Sequence, residues 1–577
     1  MRCSLAPVFR APAGRYLWAV PILTPSIRRA VLRAVTAVAL AGVCAQAQGT
    51  GTIPMSDPAY VDLDRLDQLG FLDSVIVGQR PYSRREIGRI LRVARERSNR
   101  LGERSHSLLI TDLELSIGDG ILRRLEIRFS REIEEPPSTD PVLAPLEDVR
   151  PYVYYTDATR RPFVGTFGST LEATTGSLIP RRLSTYYLPG WTLGVDLAHR
   201  LEPTGWLAFT LRERAEYVWA KDTLLEGGFA EILLGSVRAR AYNVAVEVGR
   251  SQLSWAQSPD EGLFIAADAP ALDLVSIAAD EPFRLPSVLK VLGPTKATLF
   301  VADLGPSQVR SRSKLLGYKV SIAPSRRVEL GASYLNHFGG EGGRPSTAGD
   351  RLIDFLPFID IFRRHNYSDS SDVDSDKLLG VDGRLRLGGL HGVVATGELL
   401  IDDFDVHRLS QLFAGYGSQA FGLTVPRFVS PLLSLKLTAK HMGILTYTHG
   451  ALTNGITTRG RLIGDELGPD AKAFGARLTW QPVAEASLSL EGRSAIYSNA
   501  QYATYYADPP ENSRFVVQKI SRTSDELRDR LGAHLLIQWE AGPSISARFV
   551  TERVRNFEFQ GFRRTVSGAE LSAHFPF

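Results

Sequence analysis

The last seven residues, LSAHFPF (571–577), decide how this chain is read. Phe577, Phe575, Ala573, Leu571 and Ala569 fall on one face of an extended strand. Pro576, His574, Ser572, Glu570 and Gly568 fall on the other. Chain ends are usually frayed and polar, so an amphipathic final strand needs a partner. In lipid every backbone group must be paired, and a sheet satisfies that only by closing on itself. The last strand is therefore expected to pair with the first. Phe575 and Phe577 are expected to face lipid at the periplasmic rim and to guide barrel assembly.

The same period of two recurs upstream. "GWLAFTLRER" (205–214) puts Leu207, Phe209 and Leu211 on one face, and "VAVEVGR" (244–250) alternates in the same way. "YKVSI" turns through "APSRR" into "VELGASY", and "FGARLTW" turns through "QPVAE" into "ASLSLEG". "HLLIQWE" turns through "AGP" into "SISARFVTE". Each pair is two alternating strands and a short turn. The other connections, at 337–376, 450–470 and 501–530, are long and polar. Short turns alternating with long loops are the asymmetry of an outer-membrane barrel. Trp191, Trp206, Trp480 and Trp539 sit near strand ends, where aromatic girdles lie. A soluble sandwich also alternates, but rarely over so long a span with such uneven loops. The expected fold is an all-β transmembrane barrel of about 18 antiparallel strands over residues 146–577, with an N-terminal α-helical bundle at the periplasmic end.

Before the barrel the period is that of helices. Asp57-Pro58 starts one helix with Tyr60, Leu63, Leu66 and Leu69 on its stripe, and Gly70 ends it. Ser83 and Glu86 form a capping box ahead of Ile87, Ile90, Leu91 and Ala94. A third stripe runs Leu109, Leu113, Ile117, Ile121, Leu125, Phe129, weakened by Gly118 and Gly120. "EEPPSTDPVLAP" (134–145) ends this region, so residues 48–145 are expected to be a periplasmic bundle and linker. Residues 1–47 read as a secretory signal with a long basic region. Arg28, Arg29 and Arg33 flank the apolar run Ala34–Val43, and Ala45-Gln46-Ala47 is a small-x-small cleavage site. Lipidation at Cys44 is disfavoured by Val43, where a small residue is needed. The six leader arginines account for the formal charge of +4, which falls to −2 without them. Both cysteines, Cys3 and Cys44, lie in the leader, which leaves no disulfide framework and no thiolate chemistry.

The search for chemistry gives few candidates. Arginines alternate inward at 212/214, 238/240 and 384/386, and guanidinium rows bind carboxylate or phosphate. The competing reading is that they pair with wall carboxylates such as Glu213, Glu247 and Glu398. Asp372, Asp374 and Asp376 are spaced as in a calcium loop, but Lys377 replaces the required glycine and Gly383 the closing glutamate. No H-E-x-x-H, G-x-S-x-G or phosphate-binding glycine loop occurs, so no catalytic residue and no cofactor are expected. Loop aromatics in "SYLNHFGG", "YYADPP" and "YGSQAFG" stand beside Asn, Asp and Gln, as sugar-binding surfaces do.

With these pieces in place the chain resembles the Wzi capsule-assembly family. The resemblance rests on "LDQLGFLDSVIVGQRPYSRREIGRIL", on "VGRSQLSWAQSPDEGLFIAADAPALDLVSIAADEPFRLP", and on "YLNHFGGEGGRP" and "DKLLGVDGRLRL". Ala256 departs from it, where glycine is expected after Trp255. The resemblance implies a non-enzymatic outer-membrane lectin that helps hold capsular or exopolysaccharide at the cell surface. It implies partners in that polysaccharide, in outer-membrane lipid and in the barrel-assembly machinery, and none in nucleic acid. Arg250 would pair with uronate groups and Trp255 would stack on a sugar ring, or both brace the barrel. Arg384 and Arg386 join them as candidate polysaccharide contacts. A porin or passive channel is the alternative, and a barrel-embedded hydrolase a further one.

Overall fold

The structure, a computed structural model, describes residues 51–72, 75–103, 112–134, 140–159, 161–165, 168–175, 178–179, 188–221, 226–258, 262–343, 355, 375–388, 392–402, 417–450, 452–507, 514–522, 524–540 and 542–577. Eighteen antiparallel strands close into one ring. They are β1 (Val142–Thr156), β2 (Gly190–Thr204), β3 (Leu207–Ala220), β4 (Gly227–Ala241), β5 (Val244–Ser251) and β6 (Leu272–Ala279). Then come β7 (Pro294–Asp303), β8 (Lys314–Ser325), β9 (Val328–Phe338), β10 (Ser375–Leu387), β11 (Val393–Asp402) and β12 (Ser418–Val425). The last six are β13 (Leu433–Met442), β14 (Ala471–Val483), β15 (Ala486–Tyr497), β16 (Glu526–Gln538), β17 (Ser544–Phe557) and β18 (Phe562–Pro576). After a break β6 resumes as Phe283–Arg284, which also pairs with β7.

The ring closes as the terminal rhythm requires. β18 pairs with β1 from Pro576 opposite Asp148 to Gly568 opposite Thr156. The Phe577 N–H donates to the Glu147 carbonyl at 2.9 Å. Leu571, Phe575 and Phe577 are exposed on the outside, while Ser572 and His574 are buried within. Around the barrel, Leu193, Val320, Leu330, Phe421, Phe474, Leu490 and Phe549 also stand outward and exposed. This apolar exterior is the reverse of a soluble protein's.

Turns of a few residues join strands at one end, as at 205–206, 326–327 and 484–485. Long connections join them at the other, as at 252–271, 339–374 and 443–470. Trp480 and Trp539 are exposed near the short-turn end, and Trp191, Tyr217 and Trp219 near the long-loop end. Tyr155 lies 4.9 Å from Trp191, and Tyr217 lies 4.8 Å from Trp219, centroid to centroid. These are two girdles. Trp206 lies in a two-residue turn and is half-buried.

The helices α1 (Ala59–Leu69), α2 (Arg84–Glu103), α3 (Asp112–Arg128) and α4 (Ser130–Ile133) sit against the short-turn end. Asp57 Oδ1 accepts the Ala59 N–H at 2.9 Å, and Gly70 ends α1 in the left-handed region at φ +86°. Ser83 Oγ accepts the Glu86 N–H at 3.1 Å. The expected return arm of this capping box is missing, because the Glu86 carboxylate takes Lys296 Nζ of β7 at 2.5 Å. On α3, Ile117, Ile121 and Leu125 are buried, as is Phe129 just after it, but Leu113 is exposed. Leu109 and the leader, residues 1–47, lie outside the described residues. Gly118 and Gly120 each weaken α3 by about 1 kcal/mol. In return they permit contact, since a Cβ at Gly118 would lie 2.3 Å from the Phe71 ring and one at Gly120 2.7 Å from Ala484 of a barrel turn. Arg124 joins the two parts. It binds Asp62 through two hydrogen bonds of 3.0 and 2.7 Å, and donates to the carbonyls of Ala484 and Gln538 at 3.1 and 3.4 Å.

Irregular chain fills the lumen above these helices, and its buried amides must find partners. The barrel wall supplies carboxylates for them. Glu329 of β9 accepts the N–H groups of Val77 and Gly78 at 2.9 and 2.8 Å. Glu398 of β11 accepts those of Gln257 and Leu263 at 3.2 and 2.8 Å. Asp402 accepts that of Tyr447 at 2.6 Å. Arg80 and Ser254 exchange backbone hydrogen bonds of 3.0 and 2.9 Å, and Ala266 N–H reaches the Ile463 carbonyl at 3.0 Å. Trp255, Leu263, Phe264, Ile265, Phe300, Tyr447, Ile456 and Ile463 form the apolar core of this filling.

Candidate functional site

The filling leans on β7–β11, which leaves a cavity of about 600 Å³ bounded by β13–β18. Strand alternation decides which side chains line it. On β15 the inward set includes Glu491 and Arg493, on β16 Arg530 and His534, and on β17 Arg548. Arg477 pairs with Glu491 at 2.9 Å, and Arg530 with Glu552 at 2.8 Å. Arg493 stands opposite Arg530, and Arg548 opposite His534. Arg493 and Arg548 make no ion pair or side-chain hydrogen bond among the described residues. Two such guanidiniums facing one cavity suit a carboxylate or a phosphate. Neither was singled out from the sequence, although alternation in "LSLEG" and "SISARFVTE" turns both inward.

The earlier candidates fall elsewhere, and the structure does not bring them together. Trp255 is 1% exposed, with Phe300 edge-on at a centroid distance of 5.4 Å. Sugar stacking is not open to it, because its segment turns inward and the ring is enclosed in the apolar core. Arg384 and Arg386 lie near the short-turn end of β10, where both bind Asp67 of α1, Arg386 at 2.6 Å. They hold the helices to the barrel and are not at the long-loop end. Arg250 makes two hydrogen bonds to Asp273, of 2.8 and 3.1 Å, and one to the Ile232 carbonyl at 2.9 Å. Arg459 of the 443–470 loop shares Asp273 at 3.3 Å, so Arg250 stands beside a long loop.

The other inward arginines are paired. Arg212 meets Asp148 at 2.6 Å, Arg214 meets Asp196 at 2.7 Å, and Arg238 meets both Glu247 and Asp280 at 2.9 Å. Asp372 and Asp374 lie outside the described residues, whereas Asp376 is buried in β10. Among the described residues no group of three His, Cys, Asp or Glu is placed to hold a metal. In "SYLNHFGG", Asn336 and His337 are buried inside β9, with His337 Nε2 2.8 Å from Ser313 Oγ. In "YGSQAFG", Phe421 faces outward as part of the apolar exterior.

The Asp67 contact has a testable pH dependence. Burial pushes the Asp67 carboxyl up, but Arg384 and Arg386 overcome this and hold it below its ordinary value of 3.8. A depressed acid contributes stability that is full above the unfolded value and is lost as pH falls through the folded one. Docking of α1 is therefore expected to be complete at neutral pH and to weaken below about pH 4. Asp62 and Glu86 run the other way, because burial raises both. Comparison with Asp67→Asn isolates the contact. The variant's helices should be cut by protease more readily at pH 7, and the gap to wild type should narrow by pH 3. An equal gap at both pH values would refute this assignment.

Among curated protein sequences none matches the chain. Among solved structures it is similar to Wzi of Escherichia coli, described as a carbohydrate-binding β-barrel involved in group 1 capsule assembly. There the identity is 16%, the match covers 91% of this chain and 99% of that one, and the TM-score is 0.60. It is more remotely similar to OccD3 of Pseudomonas aeruginosa, at 12% identity, 76% and 94% coverage and TM-score 0.40. OprD, an outer membrane protein of the same organism, gives 9% identity, 76% and 94% coverage and TM-score 0.38. The last two likenesses are too distant to carry an argument. The barrel, its apolar belt and its helical end place the protein in the outer membrane. The sequence pattern of the capsule assembly protein Wzi matches residues 194–560, and the chain therefore belongs to the Wzi capsule assembly family.

Proposed function

We propose that this protein binds surface polysaccharide and helps hold it at the outer face of the cell, without turning it over. The observation that carries this reading is the filled lumen. The apolar core formed by 252–271 and 443–470 lies over the helical end on the β7–β11 side, which supports a binding surface over an open pore. Family membership supplies the substrate class, and the E. coli structure supplies carbohydrate binding as the activity of a similar barrel. Binding would be multivalent, with weak contacts multiplied along a long polymer. The contact surface would lie on the long loops, with Arg250 at its edge.

The test pairs two measurements on purified protein. It should retain the organism's own acidic exopolysaccharide in a pull-down, and it should show negligible ion conductance in planar bilayers. Arg250→Gln should weaken retention only several-fold, because a half-exposed charge contact is worth on the order of 1 kcal/mol. No retention together with clear conductance would establish the channel reading instead.

A further inference from the structure

The lipid-facing wall of β16–β18 changes character at one level. From the short-turn end its outward side chains are apolar or small, including Leu531 and Leu535 on β16, Ile545 and Phe549 on β17, and Leu571 and Phe575 on β18. Beyond them the outward positions carry Arg553 and Arg555 on β17 and Arg563 on β18. Arg555 stands directly opposite Arg563, and Arg553 opposite Thr565 and Asp529. Like charges directly opposite on a sheet repel. Asp529 is the acid beside them. It takes Arg555 at 2.9 Å and Ser494 Oγ at 2.8 Å. Arg553 and Arg563 have no ion-pair or hydrogen-bond partner among the described residues.

Depth says what faces these cations. Arg563 lies twelve residues along β18 from Phe575, which stands at the inner rim. At about 3.4 Å per residue and a tilt of about 40°, that is roughly 31 Å along the membrane normal, just outside an apolar band about 25 Å tall. The arginines therefore stand at the level of the outer-leaflet headgroups, where an outward charge costs little. Arginine is the residue suited to gripping a phosphate through paired hydrogen bonds. We infer that Arg553, Arg555 and Arg563 form a binding site for the phosphorylated headgroup of an outer-leaflet glycolipid. The site lies on the outside of the barrel and is independent of polysaccharide binding at the loops.

The test uses the full-length protein in detergent, wild type and R553Q/R555Q/R563Q. A charge-keeping variant, R553K/R555K/R563K, stands beside them, and heat-modifiable gel mobility reports that each barrel is folded. Retention of diphosphorylated lipid A is measured by mass spectrometry, against its dephosphorylated form and against millimolar inorganic phosphate as competitor. Wild type should retain the diphosphorylated lipid, and the Gln variant should bind it on the order of 100-fold more weakly. The Lys variant, which keeps the charge and loses the paired hydrogen bonds, should bind more weakly than wild type and more tightly than the Gln variant. Dephosphorylated lipid should be lost from wild type, and inorganic phosphate should displace little of the intact lipid. Equal retention by wild type and the Gln variant would overturn the inference. So would equal retention of both lipid forms, or complete displacement by inorganic phosphate, which would make this a site for free anions.

Discussion

Removing Phe577 is expected to lower the amount of folded protein in the outer membrane several-fold. The structure separates two roles for this end. The Phe577 ring is 76% exposed on the barrel exterior, so its loss removes little packing. The strand before it is held by pairing with β1 at Pro576 and Phe575 and again from Ser572 to Gly568. Barrel already folded in detergent should therefore keep its stability without Phe577. The deficit should appear in cells, where a terminal aromatic residue is the feature that barrel-assembly machinery would read. Heat-modifiable mobility of membrane fractions, with the same assay on protein refolded in detergent, distinguishes the two. Normal assembly of the truncated chain would show that the end is only a structural closure. Polysaccharide retention, measured on the refolded protein, should be unchanged.

The second large effect lies inside the wall. Lys319 of β8 is 0% exposed, and its ammonium is bound by the Asp382 carboxylate of β10. Asp382 also accepts a hydrogen bond from Gln257 Nε2 of the lumen filling at 2.5 Å. Asp382→Ala leaves a buried ammonium without its counter-ion and should cost about 3–5 kcal/mol. Replacing both partners by apolar residues, Lys319→Met with Asp382→Leu, should recover most of that loss, because an apolar pair carries no desolvation penalty. Urea unfolding of the barrel in lipid vesicles measures both. The account fails if the single variant loses less than about 1 kcal/mol, or if the double variant is the less stable of the two.

Much of the architecture was legible in sequence because lipid imposes a strict code. Outward side chains must be apolar, so the period of two in "LSAHFPF" or "SISARFVTE" carries through every paired strand. The strand number and the closure follow from that repetition, and the helical end from the change to a helical period before residue 134. The interior obeys no such code. Trp255 was left open between stacking on a sugar and bracing the barrel, because nothing periodic tells an inward-folding connection from an outward loop. The alternation of Arg384 and Arg386 showed correctly that they point inward. Their partner, Asp67, lies 317 and 319 residues away on a helix, a pairing that no local pattern encodes. Arg493 and Arg548 were within reach of the same alternation. They become distinct only when every neighbouring arginine is seen to have a partner and they are not.

The lumen filling also has a mechanical meaning. Loop 443–470 is bonded to 252–271 through Ala266 and Ile463, and 252–271 to residue 80 through Ser254. Residue 80 in turn leads within four residues into α2. These links run in series through the middle of the barrel, from the outer loops to the helices on the other side. A polymer pulling on the outer loops would load this internal column as well as the strand ends. Tension from the cell surface would then be carried across the membrane by protein, without passing through the surrounding lipid.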